Sequence, residues 1–582
     1  SAVGRFPGCW ITSTVQQGGD EREAYRFDVE WYVGNHTIRA GFDREENNSV
    51  DATVYPGFSF TPGSVGGAYY YYQTWNVGAQ LPNGALVPDP NGDGSDVDTV
   101  RFRYIENGGA FDTIQEAIYI EDRWEINDSF TASVGLRSES FENNNAAGDT
   151  FIGINDQIAP RIALEWSPGG TGESVFAVNW GRYHLPIAAN TNVRLSGAEL
   201  DFRRYFVYDG MRDATTGAPT SLGPDGIPTT PEVGAITINS DGTVPDTSAI
   251  VDQNLDPMFQ DEWIVSYERE LGDNWNAGIR YIYRELSSTI DDILVDQGLD
   301  EMALRGEFDG PIGSSNDCHY VLTNPGQDLT TNCEWYLSPG NIDGSGATEL
   351  RQTTISAEDL QFPEANRTYE AWEVTVDGQV GALTLNANYT WSENIGNTEG
   401  YVKSDNGQDD AGITQDFDIP QLMDGAKGYL PNDRRHKLKL WASMQVSDRL
   451  TVGTNFLLQS GRPVNAFGIG HPDGTPDYGD TFYLTTDVGD PLVEGDETFL
   501  KVPRGTAGRT DWITRIDLSA IYSFNLGDRA DIELRADVFN ILNADSSQEI
   551  YEFAELNPDQ FGFTSSYQRP RYVRLGAAIR FR

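Results

Sequence analysis

Residues 382–391 read ALTLNANYTW. Leu383, Leu385, Ala387, Tyr389 and Trp391 are apolar, and between them stand Thr384, Asn386, Asn388 and Thr390, all small and polar. A period of two puts the two sets on opposite faces of a β-strand. The same alternation recurs along the chain, usually as two runs flanking a turn of Gly, Asn, Asp or Ser. The pairs are YRFDVEWYV with HTIRAGFD, IQEAIYIEDRWEI with SFTASVGLRSE, QIAPRIALEWS with ESVFAVNW, and DEWIVSYEREL with WNAGIRYIYRE. Then come YEAWEVTV with ALTLNANYTW, HKLKLWASMQV with RLTVGTNFLLQ, WITRIDLSAIYSFN with RADIELRADVF, and a closing run YVRLGAAIRF. Hairpins and closing run predict about fifteen strands, each near or above the ~9–11 residues a tilted strand needs to cross a bilayer.

The connections between hairpins differ from the turns within them. Residues 47–110, 186–257, 289–365, 396–432, 463–510 and 543–569 are long, polar and rich in Gly, Asp, Asn and Pro, and only 143–156 is short. Tight turns at one rim and long loops at the other are the mark of a transmembrane β-barrel with periplasmic turns and extracellular loops. A soluble antiparallel sheet gives the same alternation but has no reason to sort its connections.

Composition agrees. The chain has 582 residues and a formal net charge of −49, from 89 acidic against 40 basic side chains. That balance repels nucleic acid. Aromatics at 12% are too abundant for a disordered acidic chain, so the chain folds. No run approaches the roughly 18 apolar residues of a spanning helix, and the opening SAVGRFPGCW lacks the features of a signal peptide. No linker or composition shift divides the chain, so residues 1–582 read as one domain.

Outward faces would therefore meet lipid and inward ones water. Trp372, Val374 and Val376 alternate with Glu373, Thr375 and Asp377 in this way, and Val573, Leu575, Ala577, Ile579 and Phe581 alternate with Arg574, Gly576, Ala578 and Arg580. The polar face carries Arg39, Arg137, Arg161, Arg280, Arg515 and Arg535 against Asp28, Glu30, Glu139, Glu165, Glu373, Asp517, Glu533 and Asp537. In a lumen these can pair across strands. Trp31, Trp124, Trp166, Trp275 and Tyr522, near strand ends, suit interfacial girdles.

The end of the chain makes the reading specific. IELRADVFNILNADSS followed by YQRPRYVRLGAAIRFR resembles the C-terminal end of TonB-dependent outer-membrane receptors. LPNDRRHKLKLWASMQVSDRLTVGTNFLLQSGRPVN and AIYIEDRWEINDSFTASVGLRSESFE are similar to barrel segments of their Oar-like branch, and the likeness extends over residues 20–582. The fold class it implies is an all-β transmembrane antiparallel barrel of about 22 strands filled by a plug. About fifteen strands ending at the C-terminus would be the last of these, leaving the plug, the TonB-box segment and the first seven strands to an N-terminal part of the same gene or to a separate polypeptide. The partners implied are the lipid bilayer with its lipopolysaccharide, TonB acting through the plug, and an extracellular ligand. The implied location is the Gram-negative outer membrane. A barrel that only anchors adhesive loops is the alternative function, and a secreted soluble enzyme a third.

Local motifs add candidates. In DPNGDGSDVD, Asp89, Asn91, Asp93, Asp96 and Asp98 could supply oxygens to calcium, though Val100 stands where a calcium loop has Glu. The other reading is a solvated acidic turn. AYYYYQTWNV, with Tyr69, Tyr70, Tyr71, Tyr72 and Trp75, is expected to pair with residues 98–107 as a hairpin, either presenting a ligand-contacting aromatic surface or packing as a hairpin core. Cys318 and Cys333 belong to no metal-ligand spacing and are expected to form a loop-closing disulfide in an oxidising compartment; Cys9 is left odd. Five scattered histidines and the absence of GxSxG, HExxH and P-loop motifs argue against catalysis, and no cofactor is required.

Overall fold

The computed structural model describes residues 15–54, 68–212, 218–224, 226–312, 318–337, 347–408, 411–474, 479–489, 497–527 and 529–581. Cys9 lies outside them. Fifteen antiparallel strands form one continuous wall. In chain order they are β1 (Val15–Val33), β2 (His36–Val54), β3 (Val97–Asn127), β4 (Phe130–Asn144), β5 (Thr150–Trp166), β6 (Ser174–His184), β7 (Phe259–Glu270) and β8 (Trp275–Ser288). They continue as β9 (Arg367–Val380), β10 (Leu383–Gly396), β11 (His436–Ser447), β12 (Leu450–Gln459), β13 (Ile513–Asn525), β14 (Ala530–Phe539) and β15 (Tyr572–Phe581). Each pairs with the next in sequence. The strand count and every hairpin therefore match the period-two reading.

The faces sort as the alternation requires. Val134 is 56% exposed, Leu575 78% and Trp372 48%, so the apolar faces are not pressed together as a dry interior. The buried clusters lie at the long-loop rim. The largest joins Ile293, Leu299, Phe308 and Cys333 to Phe417, Phe467 and Phe482, drawn from three different connections. A second packs Phe141, Phe151 and Ile154 at the top of β4–β5 against Ile187, Met258, Leu286 and Ile290. A barrel wall in lipid needs no core of its own, whereas loops standing in water must bury apolar area to stay ordered.

At the tight-turn rim the girdle is explicit. Phe130, Trp166, Phe176 and Tyr267 stack in a row across four neighbouring strands, with centroids 6.1, 5.1 and 4.4 Å apart. Trp31, Trp124, Trp166 and Tyr522 are all exposed. Trp275 instead lies over Gly378, its cross-strand partner, where a Cβ would collide with the indole.

The strands outrun the boundaries read from sequence. β2 continues past residue 47 to Val54 and pairs there with β3 as far as Glu106, so the first long connection is residues 55–96. Within residues 186–257, Leu200–Val207 joins the upper part of β3, and Thr237–Asp241 joins it in turn. Above the membrane the outer face need not be oily, so the alternation fades while the backbone ladder goes on. With Ala68–Trp75 and Gly428–Tyr429, these additions bring the sheet to nineteen strands. Among the described residues β1 and β15 do not pair with each other, so the wall has two open edges.

Candidate functional site

The concave face of the wall gathers the polar residues singled out from the alternation. Arg39 donates to Asp28 at 3.1 Å, and Arg137 donates to Asp43 at 2.7 and 3.0 Å while also contacting Glu139. Arg280 donates to Glu373 at 2.9 Å and Arg515 to Asp517 at 2.9 Å. Asp537 accepts from both Arg535 and Arg574, each at 2.9 Å. Glu165 and Glu533 lie on the same face without an ion pair among the described residues. Arg161 likewise pairs with no carboxylate there; its guanidinium sits 4.6 Å from the centre of the Tyr183 ring. Most luminal charge is thus neutralised within or between adjacent strands, as a water-filled lumen of mixed sign requires.

Above this lumen the long connections lock together through buried charges. Arg504, fully buried, donates from Nε to Asp405 at 3.0 Å, from Nη2 to Asp416 at 2.7 Å and from Nη1 to the Asn397 carbonyl at 2.7 Å. Lys403 Nζ, equally buried, lies 3.2 Å from Asp416. Asn465 donates its side-chain amide to Asp405 at 3.1 Å and its backbone N–H to Glu552 at 2.6 Å. Glu552 also pairs with Arg462, which donates from Nε to Glu549 at 2.5 Å. One network therefore ties residues 397–427, 462–510 and 549–555 to one another.

Burial sets the protonation of this network. Desolvation pushes Glu399 up to about 7, aided by Asp405, although Ser404 donates to it. Burial likewise pushes Glu552 up to about 7 against the pull of Arg462. Burial alone would raise Asp416 too, but Arg504 and Lys403 outweigh it and hold that carboxyl below the usual range. Asp291 and Asp292 are raised by burial and by neighbouring carboxylates, with Thr414 donating to Asp291 from both its backbone and hydroxyl.

The remaining candidates divide. Cys318 and Cys333 form the disulfide, 15 residues apart, and both sulfurs lie in the largest buried cluster. Ala68–Trp75 pairs with Val97–Tyr104 as the sequence suggests. Tyr70 is buried against Val100, Phe102, Tyr104 and Phe206, while Tyr72 meets Tyr208 edge-on at 4.8 Å and Arg101 sits 4.9 Å from the Tyr71 ring. Trp75 packs at the edge of a neighbouring cluster, and the Tyr69 side chain is outside the described residues. The tyrosines so placed are mainly hairpin core. In the acidic turn, Asp89 accepts from the Gly92 and Gly94 N–H groups and Asp93 from Ser95 N, while Asp98 accepts from the Thr74 hydroxyl on the next strand. Asp89 and Asp93 thus close their own turn, and Asn91 and Asp96 stand exposed beside them. Among the described residues no group of three or more His, Cys, Asp or Glu could hold a metal.

Sequence reasoning missed the buried lock. Its signal was present: Lys501, Arg504 and Arg509 stand close together in KVPRGTAGRT, within an otherwise acidic connection.

A family profile described as "Outer membrane beta barrel domain" matches residues 142–447. The TonB-dependent transporter Oar of Myxococcus xanthus is 25% identical over 466 residues, 76% of this chain and 37% of that protein. The outer membrane transporter YddB of Escherichia coli aligns with 98% of this chain and 55% of its own, at 11% identity and a TM-score of 0.46. The siderophore receptor PiuA of Acinetobacter baumannii aligns with 97% and 64%, at 11% identity and a TM-score of 0.42. The chain thus spans little more than a third of the curated relative's length.

Proposed function

The chain belongs to the outer membrane β-barrel domain family, and from that premise we propose that it forms the wall and mouth of a transporter that takes up an extracellular ligand by a TonB-driven route. Its place is the Gram-negative outer membrane. The observation that carries the reading is the division of the molecule. The wall is oily outside and charged inside, with aromatic rows at the tight-turn rim, and its other rim is covered by connections locked through Arg504. An ordered, polar cap over a charged lumen suits capture and admission of a polar solute. Binding and gating suffice, with no covalent step. Lipopolysaccharide would meet the exposed side chains of the outer leaflet. Further strands would join the open edges of β1 and β15, since unpaired edge N–H and C=O groups are too costly to leave in hydrocarbon. A plug within the closed lumen would gate passage.

The test compares solutes removed from the medium by cells with and without this gene, in backgrounds with and without TonB. The expected result is at least one solute whose depletion needs both. Loss of surface adhesion with every uptake rate unchanged would replace transport by the anchoring role.

A further inference from the structure

The upper half of β5 is paired along one edge only. Toward β4 its ladder runs from Trp166 up to Thr150, but toward β6 it stops at the pair of Arg161 with Gly181. Pro160, next above, has no N–H with which to continue it. Among the described residues no backbone hydrogen bond reaches the β6-facing edge of residues 150–159, and His184 Nε2 lies 3.3 Å from the Ile158 carbonyl. β6 itself stays paired with β7 as far as His184, so the wall is split between β5 and β6 above Arg161.

A groove of about 690 Å³ runs along that edge. One wall is the turn after β4 with the unbroken run Asp149–Ile154, and the other is drawn from residues 244–255. Consecutive residues of a strand line a groove only along the strand's edge, because a groove on either face meets every second one. No residue of β4 lines it, so the edge is the unpaired one. The sequence there, residues 150–154, is TFIGI, β-prone and without the Lys or Pro that commonly guards an edge. Its five residues span about 17 Å, the length of an ordinary strand. Phe151, Ile154 and Val251 are buried and give the groove an apolar floor, while Asp149 and Asp246 stand exposed and no Lys or Arg lines it. Both walls belong to the described residues, and β4 and β6 are each paired on their other side, so strands added at β1 or β15 leave the groove as it is. It lies at the long-loop rim, above the lumen that a plug would fill.

We propose that this groove docks an extended segment of an extracellular polypeptide, which adds as a strand to the free edge of β5, sets apolar side chains toward Phe151, Ile154 and Val251, and brings a Lys or Arg to Asp149 and Asp246. Backbone pairing supplies the affinity in this mode, and pockets for alternate side chains supply the choice of sequence. Free backbone groups along one side suit a polypeptide, whose own N–H and C=O groups match them. The site stands beside the transport reading and does not depend on it.

The probe is a hexapeptide of alternating Val and Lys with a photoreactive benzoyl group, titrated at low salt against the full-length protein in detergent by fluorescence anisotropy. It should bind with a Kd below about 1 mM, and its photoproducts should map to residues 150–159 and 244–255. Methylating the peptide's backbone nitrogens should weaken binding about tenfold or more, since the strand then loses its donors. Asp149→Lys should weaken it about threefold or more. Gly153→Trp should weaken it too, by filling the groove from a position where an added Cβ meets only Thr150 Cγ2, at 3.5 Å. Asp559→Asn, an exposed carboxylate elsewhere on the long loops, should leave it unchanged. Heat-modifiable gel migration checks that each variant is folded. The proposal is overturned if the peptide does not bind at about 1 mM, if the methylated peptide or one of alternating Val and Glu binds as tightly, or if the photoproducts lie elsewhere. Such a failure with TonB-dependent uptake intact removes the docking site alone, whereas mapped binding without any uptake removes the transport reading.

Discussion

Arg504 illustrates what a single side chain decides. It faces two carboxylates and a carbonyl inside the cap, all without solvent. Replacing it with Met leaves Asp416 to Lys403 and Asp405 to the Asn465 amide, and breaking a buried pair in this way costs about 3–5 kcal/mol. Arg504→Met should therefore open residues 397–427 and 462–510 to hydrogen exchange and protease while the wall strands keep their protection. A second prediction concerns pH. Glu399 and Glu552 have folded values near 7, above the ordinary 4.5, so the folded cap binds protons that the opened cap releases. Their contribution is complete below pH 4.5 and lost as pH rises through 7, worth about 1–3 kcal/mol each. Facing Glu399 are Asp405 and Arg504; facing Glu552 are Arg462 and Asp405. Exchange in the cap should be slower at pH 5.5 than at pH 8, and Glu399→Gln should flatten that difference. An equal slope in the variant would refute the assignment.

Elements depend on which face a residue occupies. Val374 points outward and is 42% exposed, whereas Thr375 beside it points into the lumen, opposite Gly278 and Asn388. Val374→Arg should cost about 2–4 kcal/mol near the bilayer centre, against little for Thr375→Arg. Urea unfolding in lipid vesicles measures both, and similar costs would mean the faces are misassigned. At the cap, the disulfide joins Cys318, just before the short strand Tyr320–Thr323, to the strand Leu329–Tyr336. Cys318→Ser should destabilise that loop by about 3 kcal/mol in the chain-entropy model and hasten its proteolysis under oxidising conditions. Both features were legible in the sequence, the first through its strict period and the second through the scarcity of cysteine. Strand ends were not, because β2 and β3 continue above the membrane on backbone hydrogen bonds that impose no side-chain pattern.

At the scale of the molecule the open edges matter most. β1 and β15 each pair on one side only among the described residues. Photo-crosslinkers at Val29 and Ala578 should capture strands other than the opposite edge if further polypeptide completes the wall. A direct β1–β15 crosslink in membranes would show instead that this sheet closes on itself. The same scale explains why the surroundings of Arg161 could not be read in advance, since only sheet register sets Gly135 and Gly181 on either side of one guanidinium.

The chain's own order of residues determined the all-β class, the strand number, the two faces of each strand and the sorting of turns from loops, because these follow from a period of two and from turn chemistry acting over a few neighbours. Only the tertiary structure decided which luminal charges are neutralised, where the buried core sits and how the cap is locked. Those outcomes depend on groups more than a hundred residues apart losing water together, and local pattern carries no record of such distant desolvation.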